Sequence, residues 1–564
     1  MSWWRVASGV WALLLLGVGP ISASGQGAAA RDDGGGTATA GEWRSYGGDA
    51  AETHHSPLNQ ITAANVNRLG LAWSVEVGSE ARIESTPLFV DGALYGTTTW
   101  STVFAIDARK GTLKWRWDPA IVRTGLAGDG PRFCCGPANR GLAYHDGKVF
   151  AGLLDGRLVA LEAETGKVAW AVQTTPPGSD YSITGAPRVV KGKVVIGNSG
   201  AEYGVRGYVT AYDAQSGARA WRFYTVPGDP SLPFENAAME RAAKTWSGEW
   251  WRVGGGGGSV WDGMAYDPEA DLLYIGTGNG SPWNQEIRSP GGGDNLFLSS
   301  IVALRPDTGE YVWHYQTTPG ENWDFTSTQP MILADLTLNG RVRKVLMQAP
   351  KNGFFYVLDR LTGEFLSAEP YVEVTWASHV DWSTGRPVEN PRARYGLEPV
   401  ILSPGPIGGH NWPPMAWNPA TRLVYFAGQE SNVTISRDPA FKYEVGKGNR
   451  GVIRTSRTLS GFIAAWDPVA QKARWRIEHT VGGGLLSTAG NLVFGGNGGG
   501  FFFALDATTG NKLWERRLFQ GTATPISYEL DGRQYVAVLS GAIGGRVFTF
   551  VLDGQAPIPS RTQP

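Results

Sequence analysis

The sequence predicts an all-β fold, an eight-bladed β-propeller with tryptophan-docking repeats. The first reason is an internal repeat, Ala-x-Asp-x-x-x-Gly-x-x-x-Trp, which recurs at least seven times along the 564 residues. The second is the spacing of the copies, mostly 39 to 55 residues, which suits one four-stranded blade for each copy. The third is composition: 78 glycines and 24 tryptophans indicate many tight turns and many flat side chains that need a regular place to pack.

Each copy of the repeat predicts a β-hairpin. The residues before the Asp position have the pattern of a strand, those from Asp to Gly form a tight turn, and those up to Trp form the next strand. Two copies are degenerate, because Ser367 stands where Trp is expected and Gln471 stands where Gly is expected. The residues at the Asp position of the seven copies are, in chain order, Asp107, Glu162, Asp213, Arg305, Asp359, Asp467 and Asp506.

An eighth blade is predicted from the two ends of the propeller. C-terminal strands at 534–539 and 546–552 are expected to pair with an N-terminal strand at 71–77, which removes the exposed edges that an open ring would leave. The propeller is therefore assigned to residues 42–555 as one domain, followed by a tail at 556–564. Two insertions, at about 225–260 and 367–410, are expected to form loops over one face.

The N-terminus predicts export. Arg5 precedes an apolar run followed by small residues, which is the layout of a signal peptide at 1–23, and residues 24–41 have the composition of a flexible leader. No later apolar run is long enough to predict a membrane span. The sequence therefore predicts a protein of the periplasm, an oxidising compartment where disulfides persist.

The charge balance argues against polyanion partners. The chain has 50 basic and 51 acidic side chains, and no block of Lys and Arg stands out. A nucleic-acid binder would show a basic patch, so the sequence predicts no nucleic-acid partner.

The only two cysteines, Cys134 and Cys135, are adjacent in the chain. Either they pair with each other in a strained ring, or they remain as two buried thiols that pack as small hydrophobic groups. The predicted oxidising compartment favours the bond.

Three polar residues near glycine-rich strand ends are candidates for a metal site. Glu202, Asn279 and Asp324 supply two carboxylates and one amide, a set of hard oxygen ligands that suits Ca²⁺. The histidines are scattered and no Cys/His quartet exists, so a zinc-type site is not predicted. Taken singly, each of the three residues is more often part of a turn.

Several short motifs occur together along the chain. They are Cys134-Cys135-Gly136 with Asn139-Arg140-Gly141, Gly197-Asn198-Ser199-Gly200-Ala201-Glu202, Gly276-Thr277-Gly278-Asn279, Trp323-Asp324 and Lys351-Asn352-Gly353. In this combination and order they resemble one known family, the quinoprotein alcohol dehydrogenases, and the resemblance runs from Trp43 to about Asp553. Members of that family are eight-bladed propellers that hold pyrroloquinoline quinone (PQQ) and calcium.

The resemblance implies a role for each candidate site residue. A Cys134–Cys135 disulfide would cover one face of the quinone and Trp261 the other, while Arg140 would meet its carboxylates. Glu202, Asn279 and Asp324 would hold the calcium, and Asp324 would also take the hydroxyl proton of the substrate. The residues expected to hydrogen-bond the quinone, the last two at its reactive oxygens, are Glu84, Thr184, Ser199, Ser259, Gly200, Ala201, Lys351 and Asn411.

The resemblance also implies a reaction and its partners. A small alcohol would be oxidised to the aldehyde, and the electrons would pass to an external acceptor such as a c-type cytochrome. The chain contains no Cys-x-x-Cys-His, so it resembles the soluble branch without a haem domain. Lys351 and the His410-Asn411-Trp412 run resemble the ethanol-type branch, and Thr326 stands where lanthanide-using relatives carry aspartate, which favours calcium. The oligomeric state stays open, with a homodimer as one option.

Two alternative functions remain from the sequence. The first is a PQQ-dependent propeller dehydrogenase for another substrate, such as a sugar or polyol. The second is a non-catalytic propeller scaffold, against which the Cys134-Cys135 pair and the Glu/Asn/Asp set argue.

Overall fold

Eight sheets of four or five strands, almost all antiparallel, organise the part of the chain that the structure describes. The structure is a computed structural model and describes residues 41–123, 132–480 and 482–560, all within one compact unit, Asp33–Pro564. The predicted signal peptide, the leader up to residue 40 and the end of the tail at 561–564 lie outside the described residues.

The first four sheets are consecutive four-stranded meanders, each built from neighbouring segments of chain. Sheet 1 contains Leu88–Val90, Ala93–Thr97, Val103–Asp107 and Thr112–Trp117. Sheet 2 contains Ala143–His145, Lys148–Gly152, Arg157–Glu162 and Val168–Gln173. Sheet 3 contains Arg188–Val190, Lys193–Gly197, Tyr208–Asp213 and Arg219–Tyr224. Sheet 4 contains Met264–Asp267, Leu272–Gly276, Ser300–Leu304 and Tyr311–Gln316.

Sheet 5 continues the same four-stranded pattern, whereas sheets 6 to 8 depart from it. Sheet 5 contains Met331–Leu338, Arg341–Gln348, Phe354–Asp359 and Phe365–Pro370. Sheet 6 contains Val400–Leu402, Ala416–Asn418, the long strands Leu423–Arg437 and Val452–Asp467, and Lys472–Glu478. Sheet 7 contains Leu486–Thr488, Leu492–Gly496, Phe501–Asp506 and Lys512–Arg517, with His55–Ser56 added in parallel. Sheet 8 contains Leu69–Glu76, Ile526–Leu530, Arg533–Ser540 and Arg546–Leu552.

Sheet 8 joins the two ends of the folded chain, as the sequence predicts. Leu69–Glu76 pairs antiparallel with Arg546–Leu552, and Leu71 lies opposite Phe550. The N-terminal strand therefore occupies an edge that the C-terminal strands would otherwise leave unpaired.

The repeat tryptophans pack from one sheet onto the next. The indole Nε1 of Trp221, at the end of sheet 3, donates to the carbonyl of Pro306 in the turn of sheet 4 at 2.8 Å. A Cβ on Gly309 of that turn would lie 2.5 Å from the same ring, so glycine is required for the indole to lie flat. Trp115, Trp170, Trp475 and Trp514 donate to the next turn or strand in the same way.

Two features of this packing were not predicted. Trp73 in Leu69–Glu76 is a further docking tryptophan, and its Nε1 donates to Ala108 of sheet 1 at 3.0 Å. The two degenerate repeat positions meet each other, because the Nε2 of Gln471 donates to the Oγ of Ser367 at 2.8 Å. A polar pair thus replaces the indole-on-glycine contact between sheets 5 and 6.

Trp221→Ala is expected to lower the free energy of unfolding by about 3–5 kcal/mol, the usual cost of removing a buried aromatic side chain. Trp221 is 7% exposed and loses both its ring contact and its hydrogen bond in this variant. Chemical denaturation followed by far-UV circular dichroism measures the change. Trp382→Ala is the control, because Trp382 is 66% exposed and its loss should stay within about 0.5 kcal/mol. Equal effects of the two variants would contradict a structural role for docking.

The remaining elements are short and belong mainly to the insertions. Ala237–Ala243 is an α-helix in the first insertion, capped by the Asn236 side chain, which accepts from two backbone N–H groups. The second insertion forms the hairpin Ala377–Val380 with Pro387–Glu389, although its predicted bounds overlap strands of sheets 5 and 6. The other short elements are Gly256–Gly257 paired with Gly280–Ser281, the helix Gln285–Arg288, and the 3₁₀ turns Val66–Arg68, Thr99–Ser101 and Ala201–Tyr203. Across the described ranges, neither helix has the length and apolar character needed to cross a membrane.

Candidate active site

A cavity of about 580 Å³ brings together almost all of the residues that the sequence singles out. This volume is typical of small-molecule and cofactor sites. Ala201 is the exception, since it is buried behind the cavity wall and does not line it. The predicted residues that line the cavity are Glu84, Cys134, Cys135, Arg140, Thr184, Ser199, Gly200, Glu202, Ser259, Trp261, Asn279, Asp324, Lys351 and Asn411.

Cys134 and Cys135 form a disulfide with each other, with their Cα atoms 3.8 Å apart. The bonded alternative is therefore the one the structure adopts, and the two-thiol alternative is wrong. Both residues are exposed to the cavity, which Trp261 also lines. The disulfide and a flat indole thus contribute to the wall of the same cavity.

Arg140 is the buried cation of this cavity. Its Nη1 donates to the Oγ1 of Thr184 at 2.8 Å, and Thr184 lies 3.0 Å from the Oγ of Ser199. Its Nη2 lies 3.1 Å from Glu84, and its Nε lies 3.4 Å from Asp262, a buried carboxylate that the sequence analysis did not single out. The guanidinium is therefore fixed by several elements, while its Nε has no hydrogen-bond acceptor.

A 3₁₀ turn, Ala201–Tyr203, presents Glu202 to the cavity. Gly200 before the turn has a φ of 118°, and a Cβ there would lie 2.5 Å from the carbonyl oxygen of Asp180. Only glycine fits this position without a clash, which explains the Ser-Gly-Ala-Glu run. The backbone oxygen of Glu202 accepts from the N–H of Asn449 at 2.6 Å, so the turn is held from a distant loop.

Glu321 holds the segments of the other two candidate ligands together. Its Oε2 accepts from the N–H of Gly280, next to Asn279, at 2.9 Å. Its Oε1 accepts from the N–H groups of Trp323 and Phe325, on either side of Asp324, at 2.6 and 2.9 Å. The side chain is fully buried and acts as a clamp that fixes the spacing between Asn279 and Asp324.

Asp324 combines backbone strain with an unusual electrostatic setting. Its φ of 64° lies in the left-handed region, which costs a non-glycine residue about 1–3 kcal/mol. Its Oδ2 accepts from the Nζ of Lys351 at 3.1 Å, whereas its Oδ1 is buried with no hydrogen-bond partner. Burial raises the pKa of this carboxyl to about 7; Lys351 opposes the shift and the charge of Glu202 adds to it. A nearby cation would favour the charged form.

The residues present fit a metal ion and an anionic cofactor. Asn279 donates its Nδ2 to the carbonyl of Gly280 at 3.0 Å, which leaves its Oδ1 available as a ligand beside Glu202 and Asp324. The Oδ1 of Asp324 is a buried carboxylate oxygen without a hydrogen-bond partner, and the Nη1 and Nη2 of Arg140 are held toward Thr184 and Glu84, which both line the cavity. Among the described residues no three His, Cys, Asp or Glu side chains converge, so the ligand set depends on the amide.

Several residues of the cavity were missed by sequence reasoning. Trp283 is an isolated tryptophan outside the repeat, and Trp412 was noted only within the His410-Asn411-Trp412 run, without a role in the site. Glu321, which is fully buried and does not line the cavity itself, was passed over although it lies three residues before Asp324. Arg450 and Arg454 come from the connection and second strand of the long hairpin in sheet 6, whose sequence carries no family motif. Asn411 lines the cavity as predicted, but its Nδ2 and Oδ1 are both bonded to local backbone groups.

Glu321→Gln is expected to lower the affinity for Ca²⁺ by about 10–100-fold, the usual effect of losing an outer partner of a metal site. Glutamine must turn an NH₂ group toward an N–H that Glu321 now accepts, so one segment loses its anchor. Titration of the metal-free protein with Ca²⁺ by calorimetry measures the affinity. Glu310→Gln, at an exposed glutamate, should leave the affinity unchanged. A normal affinity in Glu321→Gln would show that the clamp does not position the ligands.

Together these features define a cofactor-dependent oxidoreductase of the β-propeller class. Residues 43–375 and 457–536 match the family described as PQQ: glucose/ethanol/alcohol dehydrogenase, β-propeller domain. A quinohemoprotein alcohol dehydrogenase of Pseudomonas putida is 52% identical over 548 residues, covering 92% of this chain and 79% of that protein. A 1-butanol dehydrogenase (cytochrome c) of Thauera butanivorans is 46% identical, covering 93% and 80%.

The structure is similar to solved members of the same family. A europium-containing methanol dehydrogenase superposes with a TM-score of 0.84 at 35% identity, covering 91% of this chain and 98% of that one. The chain thus belongs to the PQQ-dependent alcohol dehydrogenases, a family of β-propeller oxidoreductases. The predictions of an enzyme and of a β-propeller fold are confirmed, and the non-catalytic scaffold is wrong.

Proposed function

We propose that the protein oxidises a small primary alcohol to the aldehyde in this cavity, with PQQ as hydride acceptor and Ca²⁺ at Glu202, Asn279 and Asp324. The observation that carries the proposal is the Oδ1 of Asp324, a buried carboxylate oxygen without a partner in a cavity that also holds the disulfide and Arg140. A buried base with a free oxygen is what proton removal from an alcohol requires.

The chain's own residues have distinct roles in the proposed reaction. When bound, PQQ supplies a carbonyl carbon that accepts hydride, and Ca²⁺ polarises that carbonyl. Asp324 accepts the hydroxyl proton at Oδ1. Lys351 donates to Oδ2 of the same carboxylate and so favours the charged form that can act as a base. Arg140 binds a carboxylate of the cofactor through a planar guanidinium, while the disulfide and Trp261 hold its faces and exclude water.

Polar groups along the rest of the cavity would orient the cofactor. Thr184 and Ser199 already form a hydrogen-bonded chain with Arg140, so their hydroxyls are held in place. Glu84, Ser259 and Asn411 line the cavity and Gly200 contributes backbone, whereas Ala201 would act only through the turn that carries Glu202.

The proposed electron acceptor is a c-type cytochrome that lies outside the 564 residues. The relative from Thauera butanivorans is named for cytochrome c, which supports this partner. The 564 residues contain only the adjacent Cys134 and Cys135, so they offer no Cys-x-x-Cys-His for a covalent haem. The predicted signal peptide supports a periplasmic location for both partners.

The proposed architecture is a closed ring of eight blades within residues 42–555. Support comes from the four- or five-stranded sheets and from Trp514, which donates to the carbonyl of Leu69 at 2.9 Å and so links sheet 7 to sheet 8. Trp73 continues the same contact from sheet 8 to sheet 1.

Reconstitution tests the function directly. The protein is loaded with PQQ and Ca²⁺, the bound quinone is followed by absorbance, and turnover of ethanol, 1-butanol, glycerol and glucose is measured with an artificial electron acceptor. We expect a quinone spectrum that bleaches on addition of 1-butanol and turnover of the alcohols above glucose. Bound quinone that stays oxidised with all four substrates would overturn the proposal, and a preference for glucose or glycerol would favour the sugar or polyol alternative.

A further inference from the structure

Two arginines converge on one indole at the wall of the cavity. The guanidinium carbons of Arg450 and Arg454 lie 5.6 and 5.1 Å from the centre of the Trp283 ring. All three residues line the cavity that holds Asp324. Arg454 belongs to the strand Val452–Asp467 of the long hairpin in sheet 6, and Arg450 belongs to the connection before that strand.

Neither arginine has a carboxylate partner among the described residues. Arg454 donates to the hydroxyl of Ser456 at 2.9 Å, and the Nε of Arg450 is buried without an acceptor. Burial lowers the pKa of Arg454 and the charge of Arg450 lowers it further, whereas Asp324 and Glu202 raise it. The two guanidiniums therefore repel each other and lie within electrostatic range of the candidate metal ligands.

Backbone hydrogen bonds hold Arg450 beside Trp283. The N–H of Trp283 donates to the carbonyl of Arg450 at 2.9 Å, and the N–H of Asn449, the residue before Arg450, donates to the carbonyl of Glu202 at 2.6 Å. Asn449 is 1% exposed and its side chain bonds to backbone groups of its own loop. Arg454 is exposed and reaches the same indole from the neighbouring strand, so two cations share one side of the cavity, which favours a negative charge there.

Trp283 supplies a flat wall beside the two cations. The residue is 2% exposed, and both guanidiniums lie over its ring. A carboxylate placed between the arginines could accept from both guanidiniums.

The other charges of the cavity do not balance this pair. Arg140 is accompanied by Glu84, and Lys351 by Asp324, while Arg82 is a further cation of the lining whose Nη2 donates to the carbonyl of Gly482. Glu202 is the remaining carboxylate of the lining, and in the proposed function it binds the metal. Arg450 and Arg454 therefore remain uncompensated by the protein.

We propose that Arg450 and Arg454 bind the carboxylate of the substrate, so that the protein favours ω-hydroxycarboxylates over neutral alcohols. The proposal rests on the proposed function, because the hydroxyl of the same molecule must reach Asp324. The reaction is the same two-electron oxidation: the CH₂OH carbon gives its hydride to PQQ, the hydroxyl proton goes to Asp324, and the carboxylate is unchanged.

The test compares ω-hydroxycarboxylates of four to eight carbons with their methyl esters on the holoenzyme. Each pair has the same hydroxyl and chain, and the ester replaces the negative carboxylate by a neutral group that is larger by one methyl. We expect kcat/KM for the best acid to exceed that for its ester by about ten- to hundredfold, the range of charge-assisted hydrogen bonds, and the advantage to shrink at high salt. Equal values for acid and ester at every length would overturn the proposal.

Arg454→Gln and Arg450→Gln test the assignment of the charge. Each should lower the acid-to-ester ratio by about tenfold or more. Arg457→Gln is the matched control, because Arg457 lies on the same strand, is exposed and does not line the cavity. An acid-to-ester ratio that is the same in Arg454→Gln as in the unmodified protein would overturn the assignment.

Two further measurements are needed. The first shows whether the arginines bind a carboxylate of the substrate or one of PQQ, and the second shows whether the inference or the proposed function has failed. Titration with PQQ measures cofactor affinity, and a loss of PQQ affinity in Arg454→Gln with an unchanged acid-to-ester ratio would assign the arginines to the cofactor instead. If neither acids nor esters are oxidised, the proposed function fails. Calorimetric binding of the same acid to the holoenzyme then decides the inference, because equal affinity in the unmodified protein and in Arg454→Gln overturns it.

Discussion

Asp324→Asn is expected to lower kcat by at least about 10²-fold, the low end of what removing a general base costs. Asparagine keeps the shape of the side chain and can still accept from Lys351, but it cannot take a proton at the position of Oδ1. It also removes one charge from the candidate metal site. The quinone should remain bound, because Arg140, Trp261 and the disulfide are untouched.

The measurement is kcat on a loaded enzyme whose bound quinone and calcium are quantified in the same sample. Asp335→Asn is the control, since Asp335 is an exposed aspartate outside the cavity. Near-normal kcat in Asp324→Asn with quinone and metal bound would mean that Asp324 is a bystander. Glu202 would then be the next candidate for the base.

Much of the fold can be predicted from the sequence because a short motif recurs from blade to blade. The Asp-to-Gly turn and the following Trp lie within about ten residues, so hairpin and docking contact are encoded together. Trp73 escaped notice because the strand Leu69–Glu76 carries its indole without the turn that precedes the other copies. Its role depends on a pairing with Arg546–Leu552, at the opposite end of the chain.

The two exceptions to the repeat are explained by a contact between them that the sequence does not show. Ser367 and Gln471 each break the pattern, and in sequence both look like losses. In space the Gln471 amide donates to the Ser367 hydroxyl, so one polar contact replaces one indole contact. Ser367 at the tryptophan position and Gln471 at the glycine position are thus the two partners of one contact.

The site residues that stand in short sequence motifs were predicted. The site residues that are placed by contacts between distant parts of the chain were missed. Glu202, Asn279 and Asp324 stand in recognisable runs beside glycines. The loop before Val452–Asp467 has no such run, yet it reaches Glu202 through Asn449 and places Arg450 against Trp283. Long-range placement of this kind leaves no pattern in neighbouring residues, since the partners are far apart in sequence.

Removal of the metal by a chelator is expected to abolish turnover, and Ca²⁺ is expected to restore it. Two carboxylates and one amide are ligands that Ca²⁺ accepts readily, and without the cation the charges of Glu202 and Asp324 would oppose each other. Thr326, the position at which lanthanide-using relatives carry aspartate, is 1% exposed, and its Oγ1 accepts from Gln329 at 2.9 Å. It does not line the cavity and adds no third carboxylate.

The experiment adds Ca²⁺, Mg²⁺ or La³⁺ to the chelated protein and records both turnover and bound metal. Calcium alone should restore activity at stoichiometric occupancy, because Mg²⁺ demands a tighter octahedral shell and La³⁺ lacks a further acidic ligand here. Thr326→Asp adds a carboxylate two residues beyond Asp324, and we expect this variant to gain a response to La³⁺ by analogy with the lanthanide-using relatives. If La³⁺ restored turnover in the unmodified protein while Ca²⁺ bound without effect, the donor set of Glu202, Asn279 and Asp324 would suffice for a lanthanide and the significance assigned to Thr326 would be wrong.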